Sequence, residues 1–400
     1  MTTRDPSTDL YDALVVGAGP AGSWAAGRLA ERGFAVVLAD ENSGGRDDVV
    51  CTGIIGSEAW NRFSLPAKAV RSVVGRADFL SPSGISVPYE PSEPFARVVD
   101  RVVFDMILAS RAEEAGARLL RGWAARRVER EAETVRVGFE TPEGMREIAA
   151  RVLVVATGHQ RWLHEAAGLG TPDEYVHGVH ADVPFTGLEG AELYFGNAVA
   201  PGFFAWAIPF ETGTARLGVL APQKAHLHFE RFLHKPAIRE RLGFPEDELV
   251  QRATEALRSR AIVQGPVEPS VADRTLAVGE AAGQVKTTTA GGIYYGLRAA
   301  ERAAEVLAER LPADRLDAAS LAAYEEAWRT ELMPEIEAGL ELQRAVRGLS
   351  DAEIDRLFEA LQGGLGAMVR AAVRFDWHRA ALSVLLRDDR VRRVLDEDVA

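Results

Sequence analysis

The 400-residue sequence contains one cysteine, Cys51, and four lysines, and its formal net charge is −13. A single cysteine excludes an internal disulfide and a cysteine-rich zinc site, and we expect no bound metal. The acidic balance argues against a nucleic-acid partner, which normally requires a basic surface. No uninterrupted apolar run reaches about 18 residues, and the N-terminus lacks the basic stretch of a signal peptide. We therefore expect a cytoplasmic protein, and peripheral contact with the inner face of a membrane stays open.

The first informative unit lies near the N-terminus. An apolar run at 13–16 leads directly into the sequence GAGPAG at 17–22, and a helical pattern follows it. A second apolar run at 35–39 ends at Asp40. A strand, a glycine-rich turn, a helix, a strand and an acid, in this order, are typical of a dinucleotide-binding βαβ unit.

Each residue type in this unit has a physical reason to be there. Gly17 permits a tight turn, Gly19 lets the backbone approach a pyrophosphate, and Gly22 lets helix and strand lie close together. Asp40 lies 23 residues after Gly17, where a carboxylate accepts hydrogen bonds from a ribose diol and disfavours a 2′-phosphate. FAD or NAD is therefore favoured over NADP. The expected contacts in this unit are Gly17, Gly19, Pro20, Ala21, Gly22, Asp40 and Glu41.

Two later strand ends favour FAD over NAD. Residues 152–155 lead into ATG at 156–158, and residues 275–278 lead into GEAAG at 279–283. The second element looks like the one with which flavoproteins hold the ribityl chain: an acid accepts a hydroxyl, and the N-terminus of a helix faces the flavin. We therefore predict FAD. The further expected contacts are Thr157, Gly158, Gly279, Glu280, Gly283, Ala290, Gly291, Gly292 and Ile293.

On these motifs the chain resembles the geranylgeranyl reductase family of FAD-dependent oxidoreductases, within the p-hydroxybenzoate hydroxylase-like fold group. The resemblance extends over nearly the whole chain and is most specific in VGEAAGQVKTTTAGGIYYG at 278–296. It also includes CTG at 51–53, DRVVFD at 100–105, FAWAIP at 204–209 and FDWH at 375–378. It implies an α/β protein with a Rossmann-like FAD-binding domain, an inserted α+β substrate domain built on an antiparallel sheet, and a helical C-terminal region.

The resemblance also implies a division of the chain. The FAD-binding domain is expected at 1–58, 95–168 and 270–312, the substrate domain at 59–94 and 169–269, and the helical region at 313–400. Periodicity predicts a strand over 119–128 and helices over 101–114, 246–258, 321–340 (broken or kinked near Pro334) and 368–386.

The resemblance assigns further residues to the cofactor. Arg101, at the start of its predicted helix, is expected to reach the FAD phosphates or the ribityl chain. Backbone groups of Ala124 and Ala125 are expected near the adenine. The segment of Cys51, Thr52 and Gly53 is expected beside the isoalloxazine ring.

The activity implied is reduction of carbon–carbon double bonds in a prenyl or isoprenoid substrate, with a hydride from reduced flavin and a proton from a second group. An isolated alkene has no heteroatom to polarise, so positioning and exclusion of water must provide most of the catalysis. Cys51 is the candidate acid, because a thiol is mostly protonated at neutral pH. A free cysteine is otherwise a small buried hydrophobe. Tyr294 is an alternative proton source, and Trp206 is the third candidate catalytic residue.

An aromatic cluster between residues 195 and 210 suits an apolar small molecule or a lipid, although the same cluster would also serve as ordinary core. Phe204 and Ile208 stand where the family has Tyr and Phe, which brings the segment closer to flavin-dependent halogenases. The alternatives are therefore an FAD-dependent halogenase or monooxygenase of a secondary metabolite, or a quinone-linked flavoprotein. The candidate substrate contacts are Phe204, Trp206, Ile208, Pro209 and Tyr295.

No second GxGxxG motif follows the first, so we expect no separate nicotinamide domain. Electrons must then come from docked NAD(P)H, a reduced quinone or a donor protein such as ferredoxin. Near the C-terminus, residues 366–394 hold seven arginines against three aspartates. This stretch suits either contact with an anionic membrane surface or a terminal helix with solvated arginines.

Overall fold

The computed structural model describes residues 9–44, 51–243 and 255–396, together with positions 245, 248, 251 and 253. The chain divides into two compact units. The first unit comprises Met1–Asp47, Val102–Glu174 and Val263–Ile336, and the second comprises Asp48–Arg101, Tyr175–Ile262 and Glu337–Ala400. The three-part division expected from the sequence stays a prediction. The compact units assign the C-terminal helical residues differently, because they place 313–336 in the first unit and 337–400 in the second.

The strands of the described chain are, in order, β1 Leu10–Val16, β2 Val36–Asp40, β3 Ile54–Gly56, β4 Val70–Val74, β5 Ala77–Leu80, β6 Ser86–Tyr89, β7 Ala96–Val99, β8 Arg118–Arg121, β9 Ala124–Arg130, β10 Val135–Thr141, β11 Gly144–Val155, β12 Tyr175–Pro184, β13 Ala191–Tyr194, β14 Ala205–Glu211, β15 Thr214–Ala221, β16 Arg258–Val263, β17 Val271–Ala272 and β18 Thr275–Ala277.

The α-helices are α1 Pro20–Ala30, α2 Ser57–Phe63, α3 Arg101–Glu114, α4 Trp162–Ala167, α5 Ala225–Leu233, α6 Pro236–Arg239, α7 Ile293–Arg310, α8 Ala318–Val346, α9 Asp351–Leu361, α10 Gly364–Ala372, α11 Arg379–Leu385 and α12 Asp389–Asp396. None of those in the described part of the chain has the length and apolar character needed to cross a membrane.

The first unit is built on a mainly parallel sheet. Its strand order is β17-β18-β11-β1-β2-β8, and β1 pairs in parallel with both β2 and β11. The first half of β11 also forms an antiparallel hairpin with β10. Apolar side chains of β1 are fully buried at Ala13, Leu14 and Val15. A parallel sheet has helical connections and two covered faces, which explains why this strand is apolar without alternation. The Rossmann-like α/β class predicted from the sequence is confirmed.

The second unit is built on a seven-stranded sheet with the order β16-β12-β15-β14-β13-β5-β6. Its central strands pair antiparallel. One face packs against α5 and α6, where Ala205, Ala207, Leu217, Phe232 and Ile238 belong to one buried apolar cluster. The opposite face carries the alternate residues of the same strands, because successive side chains of a strand point to opposite sides.

Three expectations about single elements have different outcomes. The strand predicted over 119–128 is divided into β8 and β9, because the chain turns at Gly122, whose φ is +74°. The helix predicted over 321–340, broken or kinked near Pro334, continues through Pro334 as α8 without a break, and Leu332 and Ile336 on either side of the proline are fully buried. The kink stays a prediction. Burial on both sides of the proline holds the two turns in one helix. The helix predicted over 246–258 lies largely outside the described residues.

The helix predicted over 368–386 is divided into α10 and α11. The segment between them contains Phe375 and Asp376, which lie against Gly56 so closely that a Cβ there would overlap Asp376. Trp377 donates from Nε1 to a carboxylate oxygen of Glu58 at 2.9 Å. These contacts within the second unit require an extended turn, which the apolar periodicity of the segment does not encode.

Candidate functional site

The glycine-rich turn has the conformation that its sequence predicts. Gly17 has φ +108°, and a Cβ at this position would overlap the carbonyl of Ala156 at the end of β11. A Cβ on Gly22 would overlap the carbonyl of Gly17. Gly17 is therefore required where the turn passes the end of β11, and Gly22 is required where α1 packs against the turn. At Gly19, by contrast, no atom of the described chain lies within 4 Å of an added Cβ.

The start of α1 is arranged to receive an anion. Pro20 opens the helix, and no side chain among the described residues caps it. The free N–H groups and the positive end of the helix dipole are therefore available to a phosphate group. The open space at Gly19 lies at this helix end. The arrangement suits a pyrophosphate.

Asp40 organises the same turn. One of its carboxylate oxygens accepts a hydrogen bond from the backbone N–H of Ala18 at 2.7 Å. The other accepts from the backbone and side-chain amides of Asn42 at 2.8 and 2.6 Å. A carboxylate has about four acceptor positions, so one remains for a ribose hydroxyl. Glu41, in contrast, is exposed and accepts a hydrogen bond from Gln160 at 2.8 Å.

Thr157 gives a direct test of whether this unit fits a ligand. It follows Ala156, the residue that Gly17 approaches, and Gly158 after it has φ +67°. The Thr157 Oγ1 atom is buried and makes no hydrogen bond to any described residue. A buried hydroxyl without a partner is costly, and a bound polar group would satisfy it. The residues of this turn therefore fit a dinucleotide such as FAD.

The second glycine motif lies directly against the first, within the same unit. Gly279 has φ +70°, and a Cβ there would come within 2.8 Å of the Ala21 Cβ. Gly296 in the first turn of α7 would meet the same alanine at 3.3 Å. The two predicted cofactor motifs, 17–22 and 279–296, thus meet through small residues. Gly283, at φ +69°, closes the short 3₁₀ helix at Gly279–Ala282.

Glu280 and Ala290 of the second motif have defined conformations. The Glu280 side chain, one methylene longer than Asp, accepts a hydrogen bond from the backbone N–H of Val263 at 3.2 Å. Ala290 has φ +56°, a left-handed conformation in which glycine is favoured. Gly291 lies close to the Lys286 side chain, and Gly292 precedes α7, which begins at Ile293.

Tyr294 and Tyr295 lie in the first turn of α7 and are both buried. The Tyr294 hydroxyl accepts a hydrogen bond from Arg298 at 3.0 Å, and Arg298 pairs with Glu331 of α8. The Tyr294 hydroxyl is therefore engaged by a cation within its own unit. Its role as a proton source stays a prediction, as does the role of Tyr295 at the substrate.

The remaining predicted cofactor residues occupy regular elements. Arg101 is the first residue of α3, and the helix predicted over 101–114 is confirmed. Ala124 and Ala125 open β9 and pair with Glu140 and Phe139 of β10. Their backbone groups at this strand end stay predicted contacts for the adenine.

In the second unit, Cys51, Thr52 and Gly53 form a tightly held segment. The Gly53 N–H donates to the Cys51 Sγ at 3.3 Å, and the Gly53 carbonyl accepts from Val99 at 2.9 Å. Gly53 has φ +72°, and a Cβ there would overlap the Val99 carbonyl. Arg216 of β15 donates to the carbonyls of both Cys51 and Thr52. The single thiol of the chain is thus half-buried in an ordered turn.

Three of the five predicted substrate residues share one face of the seven-stranded sheet, whereas Pro209 is at an alternate position of β14 and Tyr295 lies in α7 of the first unit. Phe204, Trp206 and Ile208 alternate along the chain at β14, on the face opposite the α5–α6 core. Trp206 is 5% exposed, and its ring covers Gly218 of β15. The indole Nε1 is buried and has no hydrogen-bond partner within the described residues. Pro209, next in the strand, pairs with Ala215.

Three polar residues on this same face were missed by the sequence analysis: His180, Asp182 and Arg216. Asp182 lies opposite Arg216, and His180 lies opposite Gly218, in the β12–β15 register. The sequence did contain a signal for them. His180 and Asp182 are polar residues at alternate positions of β12, and Arg216 is a charged residue in the mainly apolar strand β15. Arg216 lies opposite Ile208 of β14, and His180 and Asp182 lie one strand further along the sheet, on β12.

His180 is a buried neutral side chain. Burial lowers its pKa from 6.5 to about 4; the positive charge of Arg216 also lowers it, Asp182 partly opposes this, and Arg258 adds a smaller lowering effect. When the chain unfolds, the histidine regains its ordinary pKa and takes up a proton below pH about 6.5. The stability contributed by neutral His180 is therefore full above pH about 6.5 and is lost as pH falls towards 4.

We accordingly expect the free energy of unfolding to fall between pH 7 and pH 4, by up to about 3 kcal/mol from this residue. In His180→Gln this part of the pH dependence should disappear. Urea denaturation of both proteins across the pH range measures the difference, and His177→Gln is the matched control because His177 is exposed on the same strand. An unchanged pH slope in His180→Gln would contradict the assignment.

Comparison with known proteins agrees with these features. The family model described as pyridine nucleotide-disulphide oxidoreductase matches residues 11–183. Digeranylgeranylglycerophospholipid reductase 2 of Methanothermobacter thermautotrophicus is 31% identical over 361 residues, which cover 88% of this chain and 92% of that protein. The chain belongs to the geranylgeranyl reductase family of FAD-dependent oxidoreductases. The digeranylgeranylglycerophospholipid reductase of Methanocaldococcus jannaschii is also 31% identical, over 363 residues, which cover 88% and 91% of the two chains.

Solved structures show the fold of this geranylgeranyl reductase family member. A geranylgeranyl bacteriochlorophyll reductase-like protein from Thermoplasma acidophilum superposes with a TM-score of 0.85 at 19% identity, covering 98% of this chain and all of the other. A flavin-dependent brominase (a triple mutant) gives a TM-score of 0.70 at 15% identity, covering 97% and 98%. Reductases and halogenases thus share this architecture. The chain is an FAD-dependent oxidoreductase, and its substrate stays a prediction.

Proposed function

We propose that this enzyme reduces isolated carbon–carbon double bonds in the prenyl chains of an isoprenoid lipid. The observation that carries the proposal is similarity over nearly the full length to two digeranylgeranylglycerophospholipid reductases, at 31% identity. The names of these relatives describe a lipid whose chains are prenyl groups. We extend that substrate class, rather than the individual lipid, to this chain.

The face of the second unit's sheet supports an apolar substrate. Phe204, Trp206 and Ile208 form a contiguous aromatic and aliphatic row on this face, beside Phe195, whose ring centroid lies 5.9 Å from that of Phe204. Apolar surfaces of this kind bind hydrocarbon by removing it from water. They also exclude water from an alkene, which has no polar handle for the enzyme to hold.

The chemistry divides between the cofactor and the protein. When bound, reduced FAD supplies a hydride to one carbon of the double bond. Cys51 holds a proton at Sγ and delivers it to the other carbon, so that each double bond gains two hydrogens. Gly17, Gly22 and Asp40 hold the dinucleotide, and Trp206 orients the prenyl chain. We further propose that an external donor, either docked NAD(P)H, a reduced quinone or a protein such as ferredoxin, returns the flavin to its reduced form.

The test is reduction under anaerobic conditions. Dithionite-reduced, FAD-loaded enzyme is incubated with a lipid bearing geranylgeranyl chains, and the product is analysed by mass spectrometry. We expect the product mass to rise by two hydrogens for each bond reduced, and the oxidised enzyme to give no change. Turnover that requires oxygen would overturn the proposal in favour of halogenation or monooxygenation. Flavin reduction rates with NADH, NADPH, a quinol and reduced ferredoxin then identify the donor.

A further inference from the structure

Arg216 is a heavily constrained charged residue that contacts the backbone of the single thiol's residue. It is buried on β15, and its guanidinium forms two parallel hydrogen bonds with Asp182 of β12, Nε to Oδ1 at 2.7 Å and Nη2 to Oδ2 at 2.8 Å. Its Cζ lies 4.1 Å from the centroid of the Phe210 ring. The carboxylate and the ring thus hold the planar group in one orientation.

The remaining nitrogen, Nη1, points at the cysteine segment. It donates to the carbonyl of Cys51 at 3.1 Å and to the carbonyl of Thr52 at 3.0 Å. Next to it, Gly53 is anchored to Val99 of β7. Three consecutive residues therefore have fixed backbone partners, and two of these partnerships depend on a single guanidinium. The guanidinium therefore fixes the backbone to which the Cys51 side chain is attached.

Only arginine suits this arrangement. Its fork presents donors along two edges of one plane, so that it can bind a carboxylate with one edge and backbone carbonyls from the other. A lysine has one ammonium group and cannot span both sets of acceptors. Asp182 offsets the cost of burying the charge. Arg216 and Asp182 lie on the sheet face that carries Trp206 and Ile208, because paired residues of neighbouring strands point to the same side of a sheet.

We propose that Arg216, oriented by Asp182, is a positioning residue that sets where the Cys51 thiol lies during proton delivery. This inference rests on the proposed function, because Arg216 can affect turnover through Cys51 only if Cys51 is the proton donor. Arg216 itself transfers no proton. Its contribution is to hold the two carbonyls so that Sγ occupies one place rather than several.

The test compares two arginines with the same kind of environment. Arg241 also pairs with a carboxylate, Glu192, stacks over an aromatic ring, Phe185, and donates to two consecutive backbone carbonyls, Thr186 and Gly187. Its hydrogen bonds to Glu192, Thr186 and Gly187 lie away from the cysteine segment at 51–53. Arg216→Met and Arg241→Met therefore remove equivalent interactions from the same unit, and only the first reaches Cys51. Arg216→Lys and Asp182→Asn are milder variants that preserve charge or shape.

Two measurements are made on the FAD-loaded enzyme. Because Cys51 is the only cysteine, the rate of iodoacetamide labelling reports on that thiol alone. We expect Arg216→Met to accelerate labelling at least about tenfold, since two hydrogen bonds from a charged donor are lost. We expect kcat for alkene reduction to fall about 10- to 100-fold with KM for the lipid little changed. In Arg216→Lys the labelling rate and kcat should also differ from their wild-type values, whereas Arg241→Met should behave like the wild type.

A double variant separates this proposal from the one on which it rests. In a Cys51→Ser background, Arg216→Met should cause no further loss of kcat, because both changes act through the same atom. If Cys51→Ser alone retains full turnover, the proton-donor role fails, while labelling still decides whether Arg216 holds the thiol. Equal labelling and turnover in Arg216→Met and Arg241→Met, or full rescue by Arg216→Lys, would overturn the positioning role.

Discussion

Replacing Gly19 with alanine is expected to weaken FAD binding about 10- to 100-fold while leaving the apoprotein folded. Gly19 has φ −69°, which alanine adopts readily, and no described atom lies within 4 Å of the new Cβ. The methyl group therefore meets little of the protein itself. It occupies the space at the start of α1 that the pyrophosphate is proposed to enter, so its cost falls on the complex.

Titration of free FAD fluorescence measures the affinity, and thermal denaturation of the apoprotein measures the fold. Gly22→Ala is the informative contrast, because its Cβ would overlap the Gly17 carbonyl, and it should reduce both stability and FAD binding. Gly75→Ala is the neutral control, since its Cβ also meets nothing within 4 Å of the described chain and lies in the other unit. Wild-type FAD affinity in Gly19→Ala would contradict the proposed pyrophosphate site.

Replacing Cys51 with serine is expected to lower kcat for alkene reduction at least about 100-fold, the usual contribution of a positioned general acid. A serine hydroxyl is a much weaker acid than a thiol, but it is of similar size and can still accept the hydrogen bond from Gly53. The loss should therefore appear in the chemical step. FAD content and the rate of flavin reduction by dithionite should remain at their wild-type values.

Single-turnover oxidation of the reduced enzyme by the prenyl lipid, followed at the flavin absorbance, isolates this step. Cys51→Ala should behave like Cys51→Ser, since neither supplies an acidic proton. Tyr294→Phe serves as the comparison, because Tyr294 is the alternative proton source and its hydroxyl is engaged by Arg298. A large loss in Tyr294→Phe together with normal turnover in Cys51→Ser would move the proton-donor role to the tyrosine.

Parts of the site that are formed by residues close together in the sequence could be predicted, and parts formed by distant residues could not. The turn of Gly17 and Gly22 was predictable, because its geometry is set by neighbouring residues and only glycine fits it. Asp40 was predictable as an acid at a strand end, although its hydrogen bond to the Ala18 amide was not. The division of residues 368–386 into two helices was not predictable, since it depends on contacts with Gly56.

The sequence alone determined the dinucleotide-binding unit, the FAD prediction and the family. These depend on local spacing, on backbone conformations restricted to glycine, and on short contiguous motifs that can be recognised without the structure. The tertiary structure alone decided that Asp182, Arg216 and Cys51 form one connected group. Arg216 and Cys51 are 165 residues apart, and a separation of this size leaves no periodic signal. Only the register of β12 and β15, and the return of the cysteine segment to that face, bring a guanidinium to the cysteine backbone.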